Sequence, residues 1–120
     1  MNAVFFESES FIDYESGMCI INASRSEYSD HLEFSRKCLE YLDHGHWLWD
    51  NDTDRALKPA NGEDVDFMKS VIATNLKDSV KLDFEEALET YTFEHEEDLE
   101  HMLILCSEYS FTMLFWHTSA

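Results

Sequence analysis

The sequence predicts a small α+β domain, an N-terminal β-hairpin and a C-terminal strand packed with three to four helices. Three observations carry that prediction. Short apolar runs, AVFF, FIDY and MCIINA, alternate with polar breaks near the start. Apolar residues then recur at helical spacing through most of the chain, and the closing SFTMLFWHT is a dense aromatic and apolar run suited to a strand. At 120 residues, with 44% hydrophobic and 14% aromatic residues, the chain has the size and composition of one folded domain, residues 1–120, rather than of a disordered acidic tail. No repeat, low-complexity tract or linker divides it.

The N-terminal runs form two or three strands with a turn at Glu15-Ser16-Gly17. From Ser26 the period changes: Tyr28, Leu32, Leu39 and Leu42 share a helical face, flanked by Cys38 and Tyr41. A capping box of Ser24 with Glu27 opens this helix of about 27–43, and Gly45 closes it. HWLWDNDTDRALKPANGE turns from two tryptophans into a polar loop with Pro59 and Asn61-Gly62. A second helix runs from near Glu63 to near Asp78, with Val65, Met68, Ile72 and Leu76 on one side and acids in its first turn, where the helix dipole favours them.

The stretch SVKLDFEEALETY satisfies two periods. Val80, Leu82 and Phe84 alternate like a strand; Phe84, Ala87, Leu88 and Tyr91 recur like a helix, and the helix from about 83 is preferred. A further helix begins near Glu94 with Thr92 as a cap and Leu99, Met102, Leu103 and Cys106 as its core stripe. The final strand returns to the N-terminal hairpin.

Charge is the most informative feature. Eight Lys and Arg face 26 Asp and Glu, a formal net charge of -18. All eight bases lie within 25–81, so both ends of the chain are purely acidic. Such a charge opposes direct binding to nucleic acid or to an anionic membrane and favours a basic partner. On a helix from 94, Glu94, Glu96, Glu97, Asp98 and Glu100 would form an almost continuous carboxylate surface. Its spacing, about one charge per 2 Å, would approach the ~1.7 Å of duplex phosphates. Like charges at i,i+3 and i,i+4 would cost that helix about 1 to 2 kcal/mol in total, with no lysine or arginine to offset them.

The carboxylates are therefore expected to imitate phosphates and to occupy the basic groove of a nucleic-acid-binding protein or nuclease complex. The candidate partner-binding residues are Glu85, Glu86, Glu89, Glu94, Glu96, Glu97, Asp98 and Glu100, with Asp50, Asp52 and Asp54 as a second patch. Tyr91, Phe93, Trp47 and Trp49 could anchor the contact or serve the core. In composition the chain resembles acidic DNA-mimic inhibitors as a group. That resemblance implies a phage or mobile-element anti-CRISPR or anti-restriction protein. An immunity protein for a basic nuclease toxin, or an acidic adaptor without nucleic-acid mimicry, would show the same electrostatics. A homodimer is compatible with all three.

Other chemistry has little support. Asp50, Asp52 and Asp54 resemble the start of a calcium loop, but Arg55 stands where its glycine belongs and Asn61 where its bidentate glutamate belongs. His44 and His46 have no cysteine at zinc spacing. Asp98 and His101 are half of a di-iron pair whose other half is missing, and His95 lies beside the apolar stripe. With three glycines and no nucleophile or phosphate-loop motif, no catalytic residue, metal or cofactor is assigned. Three cysteines without paired spacing, no leader and no ~18-residue apolar span give a cytoplasmic expectation, the host cytoplasm for a phage-encoded protein.

Overall fold

The computed structural model describes residues 1–7, 11, 16–45, 47–48, 55–76, 80, 82–93 and 100–118. Six antiparallel strands form one sheet: β1 (Asn2–Phe6), β2 (Ser16–Ser24), β3 (Leu57–Pro59), β4 (Glu89–Phe93), β5 (Glu100–Cys106) and β6 (Ser110–Thr118). Their spatial order is β1-β2-β6-β5-β4-β3. Helix α1 (His31–His44) covers one face and α2 (Gly62–Asn75) the other.

This corrects the predicted fold. The described residues hold two α-helices rather than three to four, and the sheet dominates. The helix expected from 83 is a single 3-10 turn, Phe84–Glu86, followed by β4. The helix expected from Glu94 through Cys106 is excluded by β5, which begins at Glu100. Thr92 caps nothing: it lies within β4, and its hydroxyl donates to the Met102 carbonyl at 2.7 Å.

The reason is burial on both faces. Along β5, Met102, Ile104 and Cys106 enter the core beneath α1, while Leu103 and Leu105 enter the core beneath α2. A strand covered on both sides carries a near-continuous apolar run, here Met102–Cys106, so it contains the i, i+3, i+4 pattern of a helix as well. β2 and β6 follow the same rule. Cys19, Ile21, Phe111, Met113 and Phe115 face α1; Met18 and Leu114 face α2.

β6 pairs with β2 along its whole length, from Ser16↔Thr118 to Ser24↔Ser110, as the C-terminal run implied. Of the turn expected at 15–17, Ser16 and Gly17 instead belong to β2, and Glu15 lies outside the described residues. Gly17 meets a steric need: a Cβ there would stand 2.5 Å from Nε2 of His117.

Both helices match predicted ones, with revised ends and faces. The Ser24 and Glu27 pair exists, Ser24 N–H donating to Glu27 Oε2 at 2.7 Å, but it closes a turn. The helix cap is Asp30, whose carboxylate accepts from Glu33 N–H at 2.9 Å. Phe34, Ser35, Cys38, Leu39 and Leu42 are the buried stripe of α1, whereas Leu32 is exposed. In α2 Asn61 caps through a capping box with Asp64, and Met68, Ile72 and Leu76 are buried as expected.

Candidate acidic interface at one end of the sheet

Strand directions decide where the acids go. β1 ends, β2 begins, β6 ends, β5 begins, β4 ends and β3 begins at the same end of the sheet. Three connections therefore leave or enter there: 7–15 between β1 and β2, 45–56 between α1 and β3, and 94–99 between β4 and β5. Trp47 fixes the second of these to that end, its ring meeting His117 of β6 at 4.9 Å.

The sequence of those connections is unusually one-sided. Residues 7–15 carry Glu7, Glu9, Asp13 and Glu15; 45–56 carry Asp50, Asp52 and Asp54; 94–99 carry Glu94, Glu96, Glu97 and Asp98. Against these the connections hold one Lys or Arg side chain, Arg55.

Arg55 is already committed. Its Nη1 lies 2.8 Å from Oε1 of Glu100, with the two side chains 2% and 3% exposed. The pair ties the entry to β3 to the first residue of β5, across the end of β4. A guanidinium held this way cancels the Glu100 carboxylate inside the protein.

This geometry separates the predicted site residues. Glu100 is buried in the ion pair, so it leaves the proposed surface. Asp50, Asp52, Asp54, Glu94, Glu96, Glu97 and Asp98 lie outside the described residues; the segment with the first three leads from α1 into the start of β3, and the segment with the other four joins the end of β4 to the start of β5, both at this end of the sheet. Glu85, Glu86 and Glu89 are exposed at the opposite end, about 13 Å away along β4 at ~3.3 Å per residue. The phosphate-like spacing drawn from one continuous helix does not hold. Six residues, 94–99, separate β4 from β5.

Of the aromatic anchors, Phe93 is 1% exposed and belongs to the core. Tyr91 is partly buried, stacks on His31 at 4.1 Å and donates its hydroxyl to Glu89. Trp47 is likewise packed against Phe5 and Phe115, and Trp49 lies outside the described residues.

Sequence reading missed the Arg55–Glu100 pair and the contribution of residues 7–15. The pair left a faint signal, since Arg55 is the sole base in an acidic stretch and sits beside apolar positions. The 7–15 acids could be assigned to this end only once β1 was known to pair with β2.

The opposite end offers a cavity of about 170 Å³ lined by Asn22, Leu82, Asp83, Glu86, Ala87, Leu105, Ser107, Ser110 and Thr112. Of its lining residues, Asn22 donates from Nδ2 to Oγ1 of Thr112 at 2.9 Å. Among the described residues no three His, Cys, Asp or Glu side chains converge to hold a metal ion, and no helix is long and apolar enough to cross a membrane. The three cysteines are free and buried, with burial pushing Cys19 up to about 12 and Cys106 up to about 11. They are poor nucleophiles.

Comparison with protein-family models, with curated proteins and with solved structures found no match.

Proposed function

We propose that the protein acts by binding and that its acidic sheet end occupies the positively charged nucleic-acid site of a partner. In this reading the protein is an inhibitor of the anti-CRISPR or anti-restriction kind and makes no direct contact with nucleic acid. The observation that supports it is the convergence of three acidic connections on one end of the sheet, where the lone arginine is consumed by Glu100. A negative surface of this kind steers a basic partner toward it and excludes acidic ones.

The fold supplies a rigid base for such a surface. Strands buried on both faces hold in place the strand ends from which these connections leave. An immunity protein for a basic nuclease would use the same end, so the nature of the captured partner separates the two.

The test compares two triple variants with wild type on the heparin-binding fraction of a bacterial lysate. Glu94→Gln/Glu96→Gln/Glu97→Gln removes charge at the proposed interface; Glu85→Gln/Glu86→Gln/Glu89→Gln removes as much at the other end. Loss of capture by the first and retention by the second is the expected result. Equal loss would reduce the reading to net charge alone, and loss confined to the second would move the interface to the other end.

A further inference from the structure

The open sheet has two edge strands, and they are built differently. β3 is three residues long and carries Lys58 and Pro59. Shortness, a lysine and a proline each discourage another strand from pairing. β1 is five residues, NAVFF, with no proline and no charged side chain. Val4 is 52% exposed and Phe5 38%, and Phe5 stacks on the exposed ring of Tyr41 at 6.2 Å. Among the described residues β1 pairs with β2 alone, so its outer backbone groups face outward.

We propose that β1 is a homodimer interface: a second copy of the chain adds its own β1 antiparallel, about a two-fold axis at Val4, to make one twelve-stranded sheet. This inference does not depend on the function proposed above. The strand is self-complementary in that register. Val4 meets Val4, Phe5 lies opposite Ala3 and Phe6 opposite Asn2, so each aromatic ring faces a small residue on the same side of the sheet.

Charge argues for the same occupant. On a chain of net charge -18, residues 1–6 carry no ionisable side chain, so the two β1 strands can approach with no charged side chain on either. The register also sets the Met1 ammonium, which bonds Glu27 at 2.7 Å, opposite Glu7 of the second copy at each end of the ribbon. Antiparallel pairing reverses strand direction, so the two acidic ends point away from each other. Their separation then exceeds the ~8 Å Debye length at physiological salt.

Sedimentation velocity across the micromolar range tests this with wild type, Val4→Lys and Val4→Cys. The expected result is a wild-type dimer, a monomeric Val4→Lys with unchanged circular dichroism, and a covalent dimer of Val4→Cys on mild diamide oxidation. Facing residues of an antiparallel pair stand ~4.5 to 5.5 Å apart, within disulfide reach, and the buried native thiols do not compete. If Val4→Lys loses its fold, the Val4→Cys crosslink decides. A wild type that stays monomeric, a Val4→Lys that still dimerises, or a Val4→Cys dimer that fails to crosslink would each overturn the proposal.

Discussion

At the scale of single residues, two side chains concentrate the energetics of the acidic end. Arg55 and Glu100 are both buried, and removing one partner of such a pair leaves an uncompensated charge out of water. Glu100→Gln or Arg55→Met alone should therefore cost about 3 to 5 kcal/mol by urea denaturation. Arg55→Met combined with Glu100→Leu should recover most of that loss, because the double variant strands no charge. His117, packed over Gly17 and beside Trp47 and Phe115, adds a pH dependence. Burial holds its imidazole below its ordinary 6.5, while the Glu7 and Glu100 carboxylates pull the other way. As pH falls below about 6.5 the unfolded state takes the proton first, so stability declines until the folded value is passed. Glu27 and Glu33 extend the decline at lower pH. Hydrogen bonds from the N-terminal amine and Ser24 to Glu27, and from Ser29 to Glu33, hold both carboxylates low, so the stability they give is present above about 4.5 and lost as pH falls through their folded values. His117→Asn should flatten the part of the urea-midpoint profile that begins as pH falls through about 6.5 and leave the carboxylate part intact.

At the scale of elements, the caps discriminate between what the sequence suggested and what the fold uses. Asp30 accepts from Glu33 N–H and begins α1, while Ser24 ends β2 with its hydroxyl paired to that of Ser26. Asp30→Ala should cost about 1 kcal/mol in thermal or urea unfolding, and Ser24→Ala a few tenths. The same contrast explains how much was legible. α2 was readable because it carries one apolar stripe, a capping box and an acidic first turn, and only its inner side is buried. β5 was not, because Met102 through Cys106 are buried on both sides of the sheet and no polar alternation survives to mark a strand. β4 was obscured differently: its five residues follow a 3-10 turn, so Phe84, Ala87 and Tyr91 happened to fall at helical intervals. The acidic character of the site was visible from composition, but its location was not. Which acids share an end depends on strand direction, and strand direction follows from pairings that span as many as 102 positions, as between Ser16 and Thr118.

At the scale of the whole molecule, the net charge of -18 opposes folding through self-repulsion. Stability should accordingly rise with salt over the range in which the Debye length shrinks from about 30 to 3 Å. The Glu94→Gln/Glu96→Gln/Glu97→Gln variant should be more stable than wild type while binding its partner less well, the trade-off expected where a surface is kept for function. Urea midpoints at low and high salt check both statements. The most direct test of the central claim is competitive elution. Partners captured on the immobilised protein would be challenged with duplex DNA and, separately, with RNA, at an ionic strength too low to release them alone. Release of a basic nucleic-acid-binding protein by either polymer is the predicted result, because both would compete for one groove. A partner that resists both polymers and leaves only with denaturant would contradict it and return the acidic end to a solvated surface.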